Sequence, residues 1–228
     1  MRPPGTFTFH KMGNPWLSWH YVTANRHAIL TATQQHVTLT LESVALGFVV
    51  ALPMAALARR AGWIRSIVVN LCTAIYAVPS LAFIVALVKV FNLSRWTIVI
   101  PLAGYSLVIL VRNILTGLDE TPGEAVDAAR GMGFGNSRIF LRIRLPMAVP
   151  TIVAGLRLAV VSTIELVVIG GYVGQGGYGA AIFEGFQAKS HTELTTYIVL
   201  TVLLALVADA VLLVVQRGLT PWRRGAVA

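Results

Sequence analysis

The sequence predicts an all-α membrane protein, a polytopic helical bundle of about five transmembrane helices. Only 12% of its 228 residues are charged and the mean hydropathy is +0.75, so polar side chains are too few to cover a water-facing surface. Five apolar segments reach the length of about 20 residues that a helix needs to cross a hydrocarbon core of roughly 30 Å. Because lipid offers the backbone no hydrogen-bond partners, we expect these segments to be helices.

Two of the predicted spans contain a proline that is expected to kink the helix. These prolines are Pro79 in the second span and Pro101 in the third. Residues 1–35 are polar and aromatic and are predicted to form an extracytoplasmic tail, residues 36–217 the transmembrane domain, and residues 218–228 a cytoplasmic tail. The five spans are Val37–Ala58, Ile67–Phe91, Trp96–Leu115, Met147–Ile169 and Thr195–Val215.

Basic residues are divided unequally between the two sides of the membrane. Five spans place eleven arginines on one side and six lysines and arginines on the other, with Arg157 inside a span. Since the more basic side is normally cytoplasmic, we expect a plasma-membrane protein with its N-terminus outside, its C-terminus inside and residues 119–146 in the cytoplasm. The net charge of +9 lies in loops rather than on one face, which favours contact with membrane lipid over nucleic acid.

Residues 119–146, called the basic segment below, interrupt the apolar sequence between the third and fourth spans. Thr121, Pro122 and Glu124 have the spacing of a helix start, with Thr121 as N-cap and Glu124 completing a capping box. A glycine-rich turn and a second short helix, from about Asn136 to Pro146, are expected to follow. The segment is either a docking surface for another protein or a solvated loop, and the first helix would offer one small-residue face: Ala125, Val126, Ala128 and Ala129.

The spacing of Asp127-Ala128-Ala129, Gly133 and Ile143-Arg144-Leu145-Pro146 resembles the coupling loop of ABC importer permeases. In that family Glu-Ala-Ala precedes a glycine by four residues, and I-x-L-P ends the loop. Asp127 departs from the pattern because its carboxylate is one methylene shorter than that of Glu. The resemblance implies a MetI-like fold and assigns contact with an ATPase subunit to seven residues: Asp127, Ala128, Ala129, Gly133, Ile143, Leu145 and Pro146.

The resemblance also implies a transport complex of several subunits. Two permease subunits, identical or paralogous, would form the pore, ATPase subunits would dock on the basic segments, and a solute-binding protein would deliver the solute from outside. The chain contains no G-x-x-x-x-G-K-[ST] motif, so ATP and Mg²⁺ are expected on the partner subunit. We expect no catalytic residue, no metal ligands and no cofactor bound by this chain.

Further short matches resemble one branch of the family, the permeases for osmoprotectants such as glycine betaine, carnitine and choline. A permease for methionine or another amino acid remains an alternative, and so does a stand-alone channel or a membrane-embedded enzyme. One match also has the dinucleotide-binding pattern G-x-G-x-x-G, but it follows a span rather than a strand, so we expect a tight turn. The matches are Gln35–Thr40, Tyr76–Leu81, Leu110–Asn113 with Gly117–Leu118, Ala154–Arg157, Gly174–Gly179, and Asp209 with Leu219–Pro221.

Charged residues inside spans are costly and therefore mark candidate sites. Arg157 and Asp209 fall in the fourth and fifth spans, where we expect them to form an ion pair that sets helix packing. Glu42 and Glu165 lie towards the outer side and either line the vestibule or sit in water at the interface. The expected translocation path includes Tyr76, Pro79, Ser80, Glu42 and Glu165.

Overall fold

The computed structural model describes residues 15–174 and 176–221, in which every regular element is helical. A π-helical turn, Phe140–Arg144, joins α7 to α8, and a 3₁₀ turn, Gly171–Val173, follows α8. The α-helices are α1 (Trp19–Ala24), α2 (Arg26–Ala58), α3 (Gly62–Ala77), α4 (Ser80–Phe91), α5 (Trp96–Asp119), α6 (Gly123–Gly131), α7 (Asn136–Ile139), α8 (Leu145–Gly170), α9 (Gly177–Gln187) and α10 (His191–Leu219).

The helices long and apolar enough to cross a membrane agree with the predicted bundle. Within the described residues, α2, α5, the continuous stretch 136–173 and α10 each qualify alone. The pair α3 and α4 qualifies together but is bent by 92°, so it forms a fifth, broken span or a re-entrant loop. The all-α fold class and the span count are therefore confirmed.

The start of α2 differs from the prediction. The helix begins at Arg26, eleven residues before the predicted start at Val37. Thr31, Thr33 and Thr38 each donate a side-chain hydrogen bond to the carbonyl four residues earlier, so polar side chains are accommodated without ending the helix. Part of the predicted tail is thus helical, and its residues 1–14 lie outside the described residues.

The two prolines expected to kink spans behave differently. Pro101 lies in the second turn of α5, which continues through it as one helix to Asp119, so the chain is not interrupted there. Pro79 instead separates α3 from α4, and both Val78 (φ −70°, ψ 129°) and Pro79 (φ −58°, ψ 130°) are extended. A proline disfavours helical geometry in the residue before it. The Tyr105 hydroxyl donates to the Val78 carbonyl that the break leaves free.

The core of the bundle lies around α5, which packs between α2 and α8. Small residues bring α5 and α8 close together. A Cβ at Gly117 would lie 2.9 Å from the Ala148 carbonyl oxygen, and one at Gly155 would overlap the Asn113 side chain. The helix that follows the basic segment is therefore fixed against the most buried helix of the protein.

Candidate functional site

The glycine at position 133 ends α6 in a Schellman motif. Gly133 has φ +79°, the Phe134 N–H donates to the Ala129 carbonyl at 3.0 Å, and the Gly133 N–H donates to the Arg130 carbonyl at 2.9 Å. This pattern requires a left-handed residue after the helix, a position that glycine occupies without a Cβ penalty. Gly133 therefore sets the direction in which the chain leaves α6.

The two faces of α6 have different surroundings. Val126 and Ala129 are buried against Ile139, with Phe134 and Ile143 packed beside them. The opposite face carries exposed Asp127 and Ala128, while Arg130, also exposed, lies one helical turn after Val126; the Asp127 carboxylate lies 3.4 Å from the Arg130 guanidinium. The prediction that all the small residues share one outward face is wrong, because apolar burial draws Val126 and Ala129 inward.

The start of α6 also differs from the predicted capping box. The helix begins at Gly123, and the N-cap is Pro122, with φ −59° and ψ 135°. No side chain caps the helix, and the Thr121 hydroxyl has no hydrogen-bond partner among the described residues. Because the helix starts one residue later than predicted, Glu124 stands at its second position and cannot complete the box.

The second half of the basic segment is continuous with a membrane span. α7, the π turn, α8 and the 3₁₀ turn after it form one uninterrupted helical stretch from residue 136 to 173. Pro146 was expected to end the short helix, but it lies in the first turn of α8. A proline ring clashes with the carbonyl four residues earlier in an α-helix, and the wider π turn before it relieves this contact. Ile143, Leu145 and Pro146 therefore connect the segment to α8.

A cavity of about 370 Å³ lies beside the break between α3 and α4. This helix-break cavity brings together four of the five residues predicted for the translocation path: Tyr76, Pro79, Ser80 and Glu165. Glu42 is not among its lining residues, and its carboxylate instead accepts a hydrogen bond from the Arg95 guanidinium at 3.0 Å. The structure thus separates Glu42 from the other candidates.

The wall of the helix-break cavity combines aromatic rings with one carboxylate. The Tyr105 ring packs edge-on against Tyr76 and Phe83, at centroid distances of 5.8 and 6.2 Å, while the exposed Glu165 lies across the cavity. Aromatic faces and a carboxylate together attract cations, including quaternary ammonium groups. Among the described residues, no three His, Cys, Asp or Glu side chains form a metal-binding group.

The charged residues predicted in the last two spans lie together between α8 and α10. Arg157 Nε and Nη2 donate to the two Asp209 carboxylate oxygens, both at 2.9 Å. Arg157 Nη1 donates to the Gln216 side-chain oxygen at 3.0 Å, and the Gln216 amide donates to the Pro150 carbonyl at 2.9 Å. Sequence reasoning missed Gln216, although its position two helical turns after Asp209 placed it on the same face of α10.

Two of the short family-like segments hydrogen-bond to each other, which the sequence analysis did not predict. The Gly177 N–H donates to the Gln35 side-chain oxygen at 2.9 Å, and the Tyr178 N–H donates to His36 Nδ1 at 3.3 Å. Because Nδ1 accepts, His36 Nε2 carries the proton and donates to the Ile164 carbonyl at 2.9 Å. Side chains of α2 thus cap the start of α9, and the glycine pattern there follows a helix, not a strand.

Comparisons with known proteins agree with this architecture. Residues 43–225 match the profile of the family described as binding-protein-dependent transport system inner membrane component. The chain is 31% identical over 207 residues to the osmoprotectant import permease protein OsmW of Salmonella typhimurium, covering 89% of this chain and 96% of that protein. It is 29% identical over 197 residues to the carnitine transport permease protein OpuCB of Listeria monocytogenes, covering 86% and 90%.

A solved structure has the same fold. A chain of the MetNI methionine ABC transporter in an inward-facing conformation superposes with a TM-score of 0.77 and 21% identity, covering 86% of this chain and 98% of that chain. At this identity the likeness shows the fold alone. The family profile spans most of the sequence, including the basic segment and the last four predicted spans. The chain therefore belongs to the family of binding-protein-dependent transport system inner membrane components.

Proposed function

We propose that this chain is the permease subunit of an ATP-driven importer for osmoprotectants, working as one of two permease subunits that form the pore. The observation that carries the proposal is the geometry of the basic segment. Its α6 is anchored by an inward apolar face and presents Asp127 and Ala128 outward. Its second half continues into α8 without a break. A protein bound to α6 can therefore move a transmembrane helix.

The proposed mechanism uses this connection as a lever. ATP and Mg²⁺ bind to a separate ATPase subunit, which docks on the outward face of α6 and on the turn at Gly133. When the ATPase subunits close on ATP, each pushes its basic segment, and the rigid path through Ile143, Leu145 and Pro146 transmits the motion to α8 and to α5 packed against it. The pore then alternates between inward-open and outward-open states. The N-terminus lies outside, the C-terminus inside and the basic segment in the cytoplasm.

The proposed solutes are glycine betaine, carnitine and choline, delivered by an extracytoplasmic solute-binding protein. Relatives that share most of their length with this chain carry names of osmoprotectant and carnitine permeases. The helix-break cavity fits such solutes, because Tyr76 and Tyr105 offer aromatic faces and Glu165 a negative charge to a quaternary ammonium group. The cavity needs only weak affinity, because a transported solute has to leave it again.

The solute is tested by transport in proteoliposomes that contain the permease, its ATPase and its binding protein. We expect ATP-dependent uptake of labelled glycine betaine, carnitine or choline, and no uptake when either partner is omitted. Uptake of methionine in preference to all three would identify an amino-acid importer instead. Conduction without ATP or partners would show a channel and would overturn the proposal.

The docking face is tested by a matched pair of alanine substitutions. Ala128→Trp places a large side chain on the exposed face of α6, whereas Ala188→Trp places the same side chain at an exposed position after α9, which is far along the chain from the basic segment. We expect Ala128→Trp to abolish ATPase co-purification and uptake, and Ala188→Trp to retain ATPase co-purification. Equal ATPase recovery by both folded variants would exclude docking on this face.

A further inference from the structure

A second cavity, of about 360 Å³, lies between the basic segment and the ends of the spans. Its walls come from α2, α5, α6, α7, the π turn and the start of α8, and most lining side chains are apolar, such as Leu52, Ile114 and Ile152. Three arginines also line it: Arg59, Arg130 and Arg144. This arginine cavity is therefore apolar along its walls and strongly positive.

Among the described residues, no carboxylate forms an ion pair with Arg59 or Arg144. One terminal nitrogen of Arg59, Nη1, is buried and has no hydrogen-bond partner among the described residues. Arg144 forms no ion pair or hydrogen bond with any described side chain, and Arg130 has only the long, exposed contact with Asp127 at 3.4 Å. Asp119, whose negative charge acts on Arg59, already accepts a 2.6 Å hydrogen bond from Arg65. A buried guanidinium nitrogen without a partner is unfavourable, so an anion beside Arg59 Nη1 would be stabilised.

The electrostatics of Arg59 agree with this interpretation. Burial lowers the pKa of Arg59 below its ordinary value, and the positive charge of Arg144 lowers it further, while the Asp119 carboxylate offsets this only in part. Burial and the charge of Arg144 both disfavour the charged form of the side chain. An anion placed between the two guanidinium groups would relieve this repulsion and satisfy Arg59 Nη1.

We propose that the arginine cavity binds an anionic phospholipid, with the phosphate between Arg59 and Arg144 and the apolar part of the lipid against the walls. The position supports a lipid over other anions. Arg59 directly follows the last residue of α2, and Arg144 directly precedes α8, so both lie where spans end and headgroups begin. Basic pockets between helices at this level are suited to acidic headgroups, and the apolar walls suit acyl chains. Because the cavity lies directly behind α6, the lipid would support the proposed ATPase-docking surface from inside.

The test compares lipid retention by the purified permease–ATPase complex in nanodiscs of phosphatidylcholine alone and of phosphatidylcholine mixed with phosphatidylglycerol. After extraction into mild detergent, native mass spectrometry counts the retained lipid, and the thermal unfolding midpoint is followed during titration with each lipid. We expect wild type to retain phosphatidylglycerol in preference to phosphatidylcholine. Arg59→Gln and Arg144→Gln should each weaken this retention about fivefold.

Arg60→Gln is the matched control, because Arg60 is the next residue along the chain, is exposed and does not line the cavity. It should retain phosphatidylglycerol as wild type does. Equal retention of the two lipids by wild type would overturn the proposal, and this result does not depend on the folding of any variant. A loss of phosphatidylglycerol retention in Arg60→Gln as large as that in Arg59→Gln and Arg144→Gln would overturn it as well. The same thermal shift with inorganic phosphate alone would identify a free-anion site instead. Weakened ATPase recovery by Arg59→Gln in nanodiscs of pure phosphatidylcholine, together with no preferential retention of phosphatidylglycerol by wild type in the mixed nanodiscs, would assign the cavity to an ATPase carboxylate.

Discussion

The basic segment and the segment around α9 (residues 171–190) each connect two spans through a short helix and a glycine-rich turn, but they are held in different ways. The α9 segment is bonded into the bundle, because Gln35 and His36 of α2 accept hydrogen bonds from its first backbone N–H groups. The apolar cluster of the basic segment contains only residues of that segment. The α9 segment is therefore fixed by the bundle, whereas the outward face of α6 in the basic segment stays exposed among the described residues.

The difference also appears at the glycines. A Cβ at Gly179 in α9 would overlap the carbonyl group of Val168, whereas a Cβ at Gly133 would have no atom within 4 Å. Gly179 is required because another backbone is in contact with it, and Gly133 because its own backbone is left-handed. Glycine is therefore required for different physical reasons in the two glycine-rich segments.

The largest expected effect comes from Gly179→Ala. The added methyl group overlaps the backbone of α8, which cannot rotate away as a side chain can, so folding requires a shift of α9. We expect a loss of about 3 kcal/mol or more in unfolding free energy. The thermal unfolding midpoint of the detergent-solubilised protein and the yield of monodisperse material measure it.

Gly133→Ala is the matched control, since the same methyl group meets open space and only the left-handed backbone resists it. We expect a cost of about 1–2 kcal/mol. Gly133→Asn should cost less, because Asn tolerates this conformation better than Ala. If Gly133→Ala destabilises the protein as much as Gly179→Ala, the contrast between the two segments is wrong.

The next effect concerns the ion pair that joins the two regions. Arg157 belongs to α8, which continues from the basic segment, and Asp209 belongs to α10, which follows the α9 segment. Arg157→Leu leaves the Asp209 carboxylate without its partner in the membrane, where a lone charge is unfavourable. We expect the single change to lower folded yield and thermal midpoint more than Arg157→Leu combined with Asp209→Leu. If the double variant were less stable than Arg157→Leu alone, forming the ion pair would not be the main role of these two residues.

A smaller effect is expected at His36, whose fully buried ring links three helices. His36→Leu removes the acceptor for the Tyr178 N–H and the donor to the Ile164 carbonyl. Unsatisfied buried groups of this kind cost about 1–3 kcal/mol, so the thermal midpoint should fall. His27→Leu is the control, because His27 is an exposed residue of the same helix. Equal midpoints for the two variants would show that α9 does not depend on its bonds to α2.

The contrast between the two segments also explains how far the sequence could predict this protein. Hydropathy and length identified the spans, because lipid imposes the same requirement on every residue of a span. The spacing of Asp127, Gly133 and Pro146 indicated the basic segment, and Pro79 indicated the helix break. Each of these signals lies within a short stretch of sequence, and the corresponding helices, turn and break occur in the structure in the same order.

The rest depends on contacts between distant parts of the chain. No local pattern reveals that His36 meets Tyr178, or that Arg59 and Arg144 line one cavity. Local rules also failed where packing competed with them. Thr121 and Glu124 form no capping box because the helix starts one residue later, and Val126 and Ala129 turn inward because Ile139 and Phe134 cover them.

The smallest effect is expected from Asp127→Glu, which restores the longer carboxylate of the importer family. Asp127 is 74% exposed and its contact with Arg130 is long, and exposed pairs of this kind contribute about 1 kcal/mol or less. The thermal midpoint should therefore not change, and any effect must arise at the proposed docking face. Asp127→Asn, which removes the charge, should reduce ATP-dependent uptake more than Asp127→Glu does. If Asp127→Glu lowers uptake about tenfold while ATPase binding and stability persist, the shorter carboxylate is matched to this ATPase, and its reach rather than its charge governs coupling.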